Sequence, residues 1–87
     1  MNWYLVSVRP NKRDLFLKHL DFAIDKNQLR ELFLDSISPS DPMYKDMVLI
    51  QISNLKLAQT QLRGIEHFQR IEPRPLSEKQ IGQFLGK

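Results

Sequence analysis

Eighty-seven residues, 41% hydrophobic and 26% charged, make one small globular domain spanning residues 1–87, too short for a second core and too apolar for a disordered chain. The absence of cysteine excludes disulfide staples and thiolate metal sites, and a formal charge of +3 leans the surface only weakly toward anionic partners. No apolar stretch approaches the length that crosses a bilayer, and the N-terminus lacks a signal-peptide pattern, so a cytoplasmic protein without membrane contact is expected.

The chain opens on a strand. Trp3 to Arg9 is rich in aromatic and β-branched residues and stops at Pro10, which has no N–H to give a ladder. Alternation puts Trp3, Leu5 and Ser7 on one face and Tyr4, Val6 and Val8 on the other. Asn11 can cap a following helix, with Asp14 favoured in its first turn by the helix dipole. Leu15/Phe16, Leu20 and Ala23/Ile24 then recur at helical spacing until the polar run Asp25 to Gln28.

A second strand is expected over Leu32 to Ile37, although Leu29 to Leu34 could also prolong a helix. Ser38-Pro39-Ser40-Asp41-Pro42 is a turn by composition. Tyr44 to Ser53 reads as the strongest strand, with Val48, Ile50 and Ile52 on one side and Met47 and Leu49 on the other. Apolar residues on both faces predict a central strand covered from both sides. Ser53 or Asn54 caps a helix bearing Leu55, Ala58 and Leu62, which Gly64 is expected to end in the left-handed conformation. Ile65 to Arg70 is a fourth strand. Ser77 and Gln80 form a capping box for a last helix with Ile81, Phe84 and Leu85 on its apolar face and Gly86 at its close.

The order β-α-β-β-α-β plus a C-terminal helix predicts an α+β fold, a ferredoxin-like antiparallel sheet with helices packed against it. This scaffold hosts many functions, so its chemistry must be read from the residues. Little catalytic chemistry is visible. His19 and His67 have no local metal-ligand spacing, and structural or solvated roles are expected for both. Gly64, Gly82 and Gly86 build no phosphate loop, and Asp35, Asp41 and Asp46 lack EF-hand spacing. The expectation is a non-enzyme with no metal and no cofactor.

Several segments, in order, resemble the N-terminal domain of the NusG transcription elongation factors. The opening Trp3-Tyr4-Leu5-Val6 with Arg9-Pro10 and a helix looks like that domain's start. Lys45-Asp46-Met47-Val48-Leu49-Ile50 is similar to its Gly-Tyr-Val-Leu-Val strand, and Gly64-Ile65-Glu66-His67-Phe68 to its Pro-Gly-Val-x-x-Phe segment. Pro73 to Leu85, with Pro75-Leu76-Ser77-Glu78-Lys79-Gln80-Ile81, is similar to its Pro-x-Pro-Leu-Ser-x-x-Glu-Val ending. Asp46 and Met47 depart from the family's glycine and tyrosine, and the connection between the middle strands is short. The small β-barrel (KOW) domain that usually follows is not expected, which gives a stand-alone module.

The resemblance implies binding to RNA polymerase, through an apolar depression that receives the tip of the clamp's coiled coil. Carried over by position, Leu5, Met47 and Leu49 form this depression, with Tyr44 and Phe68 at its margin. The implied role is to modulate elongation, pausing or antitermination, as a monomer. Basic residues at the first helix, Arg9, Lys12, Arg13 and Lys18, offer a weak nucleic-acid contact, although Asp14 and Asp21 share the helix. Two other readings compete. One is a sheet-based RNA-binding domain, but the strand from Tyr44 to Ser53 has a single aromatic residue and no glycine. The other is a small ligand-binding regulatory domain that dimerises through its sheet.

Overall fold

The computed structural model describes residues 2–86. Strands β1 (Asn2–Val8), β2 (Phe33–Ile37), β3 (Met47–Ile52) and β4 (Phe68–Ile71) form one antiparallel sheet in the order β2-β3-β1-β4. Helices α1 (Arg13–Asn27) and α2 (Leu55–Leu62) are the crossovers, and α3 (Glu78–Phe84) closes the chain. This is the expected ferredoxin-like topology with an added C-terminal helix. Among the described residues no helix is long and apolar enough to cross a membrane.

The two faces of the sheet have different covers. Tyr4, Val6 and Val8 of β1 and Val48, Ile50 and Ile52 of β3 pack with Phe16 and Leu20 of α1 and Ala58 and Leu62 of α2. This is the main core, and the alternation read from the sequence places each strand residue in it correctly. The other face carries Trp3, Leu5, Ser7, Met47 and Leu49. Leu49 is completely buried yet lies outside the main core. Helix α3 and the segment before it reach the border of this second face. The ring of Phe84 in α3 meets Tyr44 edge-on at 4.7 Å, and Leu76, just before the helix, donates its N–H to Trp3 O at 2.8 Å.

Several local expectations are corrected. Asn11 does not cap α1, because its φ of 62° is left-handed rather than the extended conformation an N-cap needs. The cap position falls to Lys12, which makes no side-chain capping bond. The alternative helix through Leu34 is stopped by Gln28 in the left-handed conformation, where its N–H and that of Leu29 both turn back to Ile24 O. Strand β2 begins at Phe33 and is bulged between Phe33 and Asp35. Tyr44 is not in β3. Asp41 accepts the N–H of Met43 at 2.9 Å, and Pro42 opens a 3₁₀ turn that ends at Tyr44.

Asn54, not Ser53, caps α2 by accepting the N–H of Leu57 at 3.1 Å, while the Ser53 hydroxyl donates to Glu31 O. Gly64 is not left-handed; α2 ends at Leu62, and the positive φ of this connection, 73°, belongs to His67. Consecutive turns through this segment, with Ile65 N–H on Leu62 O and Phe68 N–H on Ile65 O, delay β4 to Phe68. The capping box of Ser77 and Gln80 is present in both directions, at 2.9 and 3.1 Å, and Gly86 has a φ of 74°.

Candidate partner-binding site

The depression predicted for a partner sits on the second face, at the centre of the sheet. Leu5 on β1 pairs directly with Leu49 on β3, and Met47 pairs with Ser7 two positions along. Leu5 and Met47 are half-buried, whereas Leu49 is fully buried. Leu49 therefore forms a floor and offers no surface of its own. Tyr44 is half-buried at the border, where its ring packs on Phe84. Met43, beside it in the 3₁₀ turn, is 75% exposed and was not anticipated.

Phe68 does not join this group. It pairs with Val8, a residue of the main core, and its ring stacks on Phe16 of α1 at 6.5 Å between centroids. The parity of β4 sends it to the opposite face. Because β4 starts later than the sequence suggested, only the register could settle its side.

Arg13 is also reassigned. Its Nη1 donates to Pro39 O at 2.9 Å, Tyr44 O at 3.2 Å and Met47 O at 3.3 Å. The half-buried guanidinium thus ties the first turn of α1 to the β2–β3 connection and to the start of β3. It is spent on the fold and is not a free basic group for nucleic acid. Arg9, Lys12 and Lys18 remain exposed.

A second tie lies beside it. Asp46 accepts the Asn11 N–H on its carboxylate at 2.9 Å and the Val8 N–H on its carbonyl at 3.0 Å. Lys45 Nζ reaches Asn11 Oδ1 at 3.4 Å. The carboxylate at residue 46 secures the left-handed turn at Asn11, a bond that glycine could not make. A separate groove of about 470 Å³ opens between α1 and β2, lined by Leu20, Asp21, Ile24, Asp25 and Phe33 among others. None of the predicted partner residues lines it.

No protein-family model and no curated protein matches this chain. Solved structures do. Two crystal structures of the MjSpt4:Spt5 complex, in conformations A and B, superpose with TM-scores of 0.74 and 0.73 at 13% and 14% identity. The match covers 95% of this chain and 57% and 54% of those chains, so the chain spans little more than half their length. The fold of this chain is thus similar to that of a chain in those complexes.

Proposed function

We propose that this chain is a NusG-type module that docks on the clamp coiled coil of RNA polymerase and modulates elongation, pausing or antitermination. The observation that carries the reading is the half-buried pair Leu5 and Met47 over a Leu49 floor, bordered by Tyr44 and α3. An apolar strip of this kind suits the tip of a helical hairpin, which presents a few side chains to a shallow groove. The likeness to chains of the Spt4:Spt5 complex supports the same reading, since those proteins also work as parts of an assembly. The action is mechanical, holding the clamp in one position, without catalysis and in the cytoplasm. Arg9, Lys12 and Lys18 are the residues left for a salt-sensitive contact to nearby nucleic acid.

The competing picture of bases stacked on the sheet is less favourable, because on this face β1 and β3 present Leu5, Ser7, Met47 and Leu49 with Trp3 as the one aromatic strand residue among them. The test is a binding measurement with purified RNA polymerase. Met47→Asp should weaken binding by about tenfold or more, since a charge would be placed where an apolar contact is made. Circular dichroism must first establish that the variant is folded. A folded Met47→Asp variant that binds polymerase as tightly as the parent chain removes the proposed face.

A further inference from the structure

The two histidines, which the sequence leaves apart, meet in space. His19 on α1 and His67 in the turn before β4 bring their rings to 5.9 Å between centroids, tilted by 50°. Glu66 completes the group, with Oε2 3.5 Å from His19 Nε2. One nitrogen from each ring and one carboxylate oxygen all lie within 4.8 Å of one another. A tetrahedral cation bound at about 2.0–2.1 Å needs donors roughly 3.3 Å apart. Small side-chain rotations close that gap, and both His19 and Glu66 are exposed enough to make them.

Two further observations point to a ligand. The Nδ1 atom of His67 is shut off from solvent and has no hydrogen-bond partner, against the general rule that buried polar atoms are paired. Residue 67 also holds a φ of 73°, a region that non-glycine residues rarely occupy, while its carbonyl accepts the Arg9 N–H at 2.9 Å. The backbone is thus pinned in an unusual conformation that presents the imidazole to His19. Beside the group, a groove of about 300 Å³ lined by His19, Phe22, Lys26 and Glu66 gives an ion access from solvent.

We propose that His19, Glu66 and His67 form a binding site for a divalent transition-metal cation of the Zn²⁺ class, with a fourth position open to water. Two imidazoles and one carboxylate suit such an ion, whereas Mg²⁺ and Ca²⁺ prefer sets made wholly of oxygen. The bound ion joins α1 to the α2–β4 connection, in a chain that has no disulfide to do so. This site is independent of the polymerase-docking face and stands or falls separately from it.

The test titrates the chelator-treated 87-residue chain with Zn²⁺, using calorimetry and thermal melting. One ion should bind per chain. Its binding should raise Tm by about 10–20 °C once free Zn²⁺ reaches roughly a hundred times Kd. Co²⁺ should develop the visible bands of an imidazole-bound ion, and Mg²⁺ should not saturate. His19→Ala changes an exposed helical position, so the metal-free fold should persist while Zn²⁺ affinity falls by about tenfold or more. His67→Asn keeps a residue that tolerates the left-handed backbone and should weaken binding similarly. Unsaturable Zn²⁺ binding overturns the proposal, as does a folded His19→Ala chain with parental affinity, or Mg²⁺ binding as tightly as Zn²⁺.

Discussion

Arg13→Met separates a structural arginine from a nucleic-acid contact, because it keeps the apolar stem and removes only the guanidinium. Nη1 has two hydrogens for the carbonyls of Pro39, Tyr44 and Met47, at 2.9, 3.2 and 3.3 Å. The shortest contact is a full charge-assisted hydrogen bond and the other two share what remains. At about 1.5–3 kcal/mol for a bond to a charged group, and with water able to reach the released carbonyls in part, the loss is about 2–3 kcal/mol. Total stability for a chain of this length is only about 4–13 kcal/mol, so the change is a large fraction of the whole. With a urea m-value of about 1 kcal/mol/M, the unfolding midpoint should fall by about 2–3 M. Arg13→Lys should recover only part of this, since a strongly hydrated ammonium on a shorter stem does not reach the position Nη1 holds beside the three carbonyls. A midpoint shift below about 0.5 M, at unchanged m, would refute the structural assignment.

Two further variants examine the sheet and its crossover helix. Leu49→Ala should cost about 2–5 kcal/mol by urea denaturation, because Leu49 is completely buried. A cost under about 1 kcal/mol would mean that Leu49 is not packed as the floor of this face. Asn54→Ala should remove about 1 kcal/mol by leaving the Leu57 N–H without its cap, seen as a Tm lower by about 4–8 °C.

The architecture was legible because periodicity reports it directly. Val48, Ile50 and Ile52 alternate with Met47 and Leu49, and the structure buries the first three under α1 and α2. Ser77 with Gln80 is a local signal that involves no other part of the chain, and it is present as read. What failed was the conformation of single residues at joints. Asn11, Gln28 and His67 take positive φ while Gly64 does not. Long-range bonds, Asn11 N–H to Asp46 and Arg9 N–H to His67 O, hold the first and last of these turns, and Gln28 ends α1 through local bonds to Ile24 O. Composition at Gly64 could not reveal that.

The site was legible only by parity. Leu5, Met47 and Leu49 share a face as their spacing requires, yet spacing could not say that Leu49 would be covered. Phe68 needed the β1–β4 register to be placed with Val8 in the core. Arg13 looked like one of several surface bases, and its three carbonyl partners come from segments far along the chain. His19, Glu66 and His67 were missed for the same reason. Their ligand-like grouping spans two elements and has no sequence motif; the signal was limited to Glu66 adjoining His67.

The departures from the NusG pattern become intelligible together. Asp46 fixes the backbone immediately before Met47 by holding Asn11 and Val8, while Arg13 holds the carbonyls of Tyr44 and Met47. Met47 and the border residue Tyr44 of the proposed docking face are therefore placed by side chains and backbone at the β1–α1 connection. A glycine at residue 46 would leave the Asn11 N–H without that carboxylate, and the placement of Met47 would rest on Arg13 and the strand ladder alone. The consequence is a coupling between fold and binding at one residue. Under conditions where Arg13→Met is still folded, polymerase affinity should drop although Arg13 touches no partner, whereas Arg9→Ala should leave both stability and the apolar contact unaltered. Undiminished polymerase binding by folded Arg13→Met would mean that the position of Met47 does not govern docking.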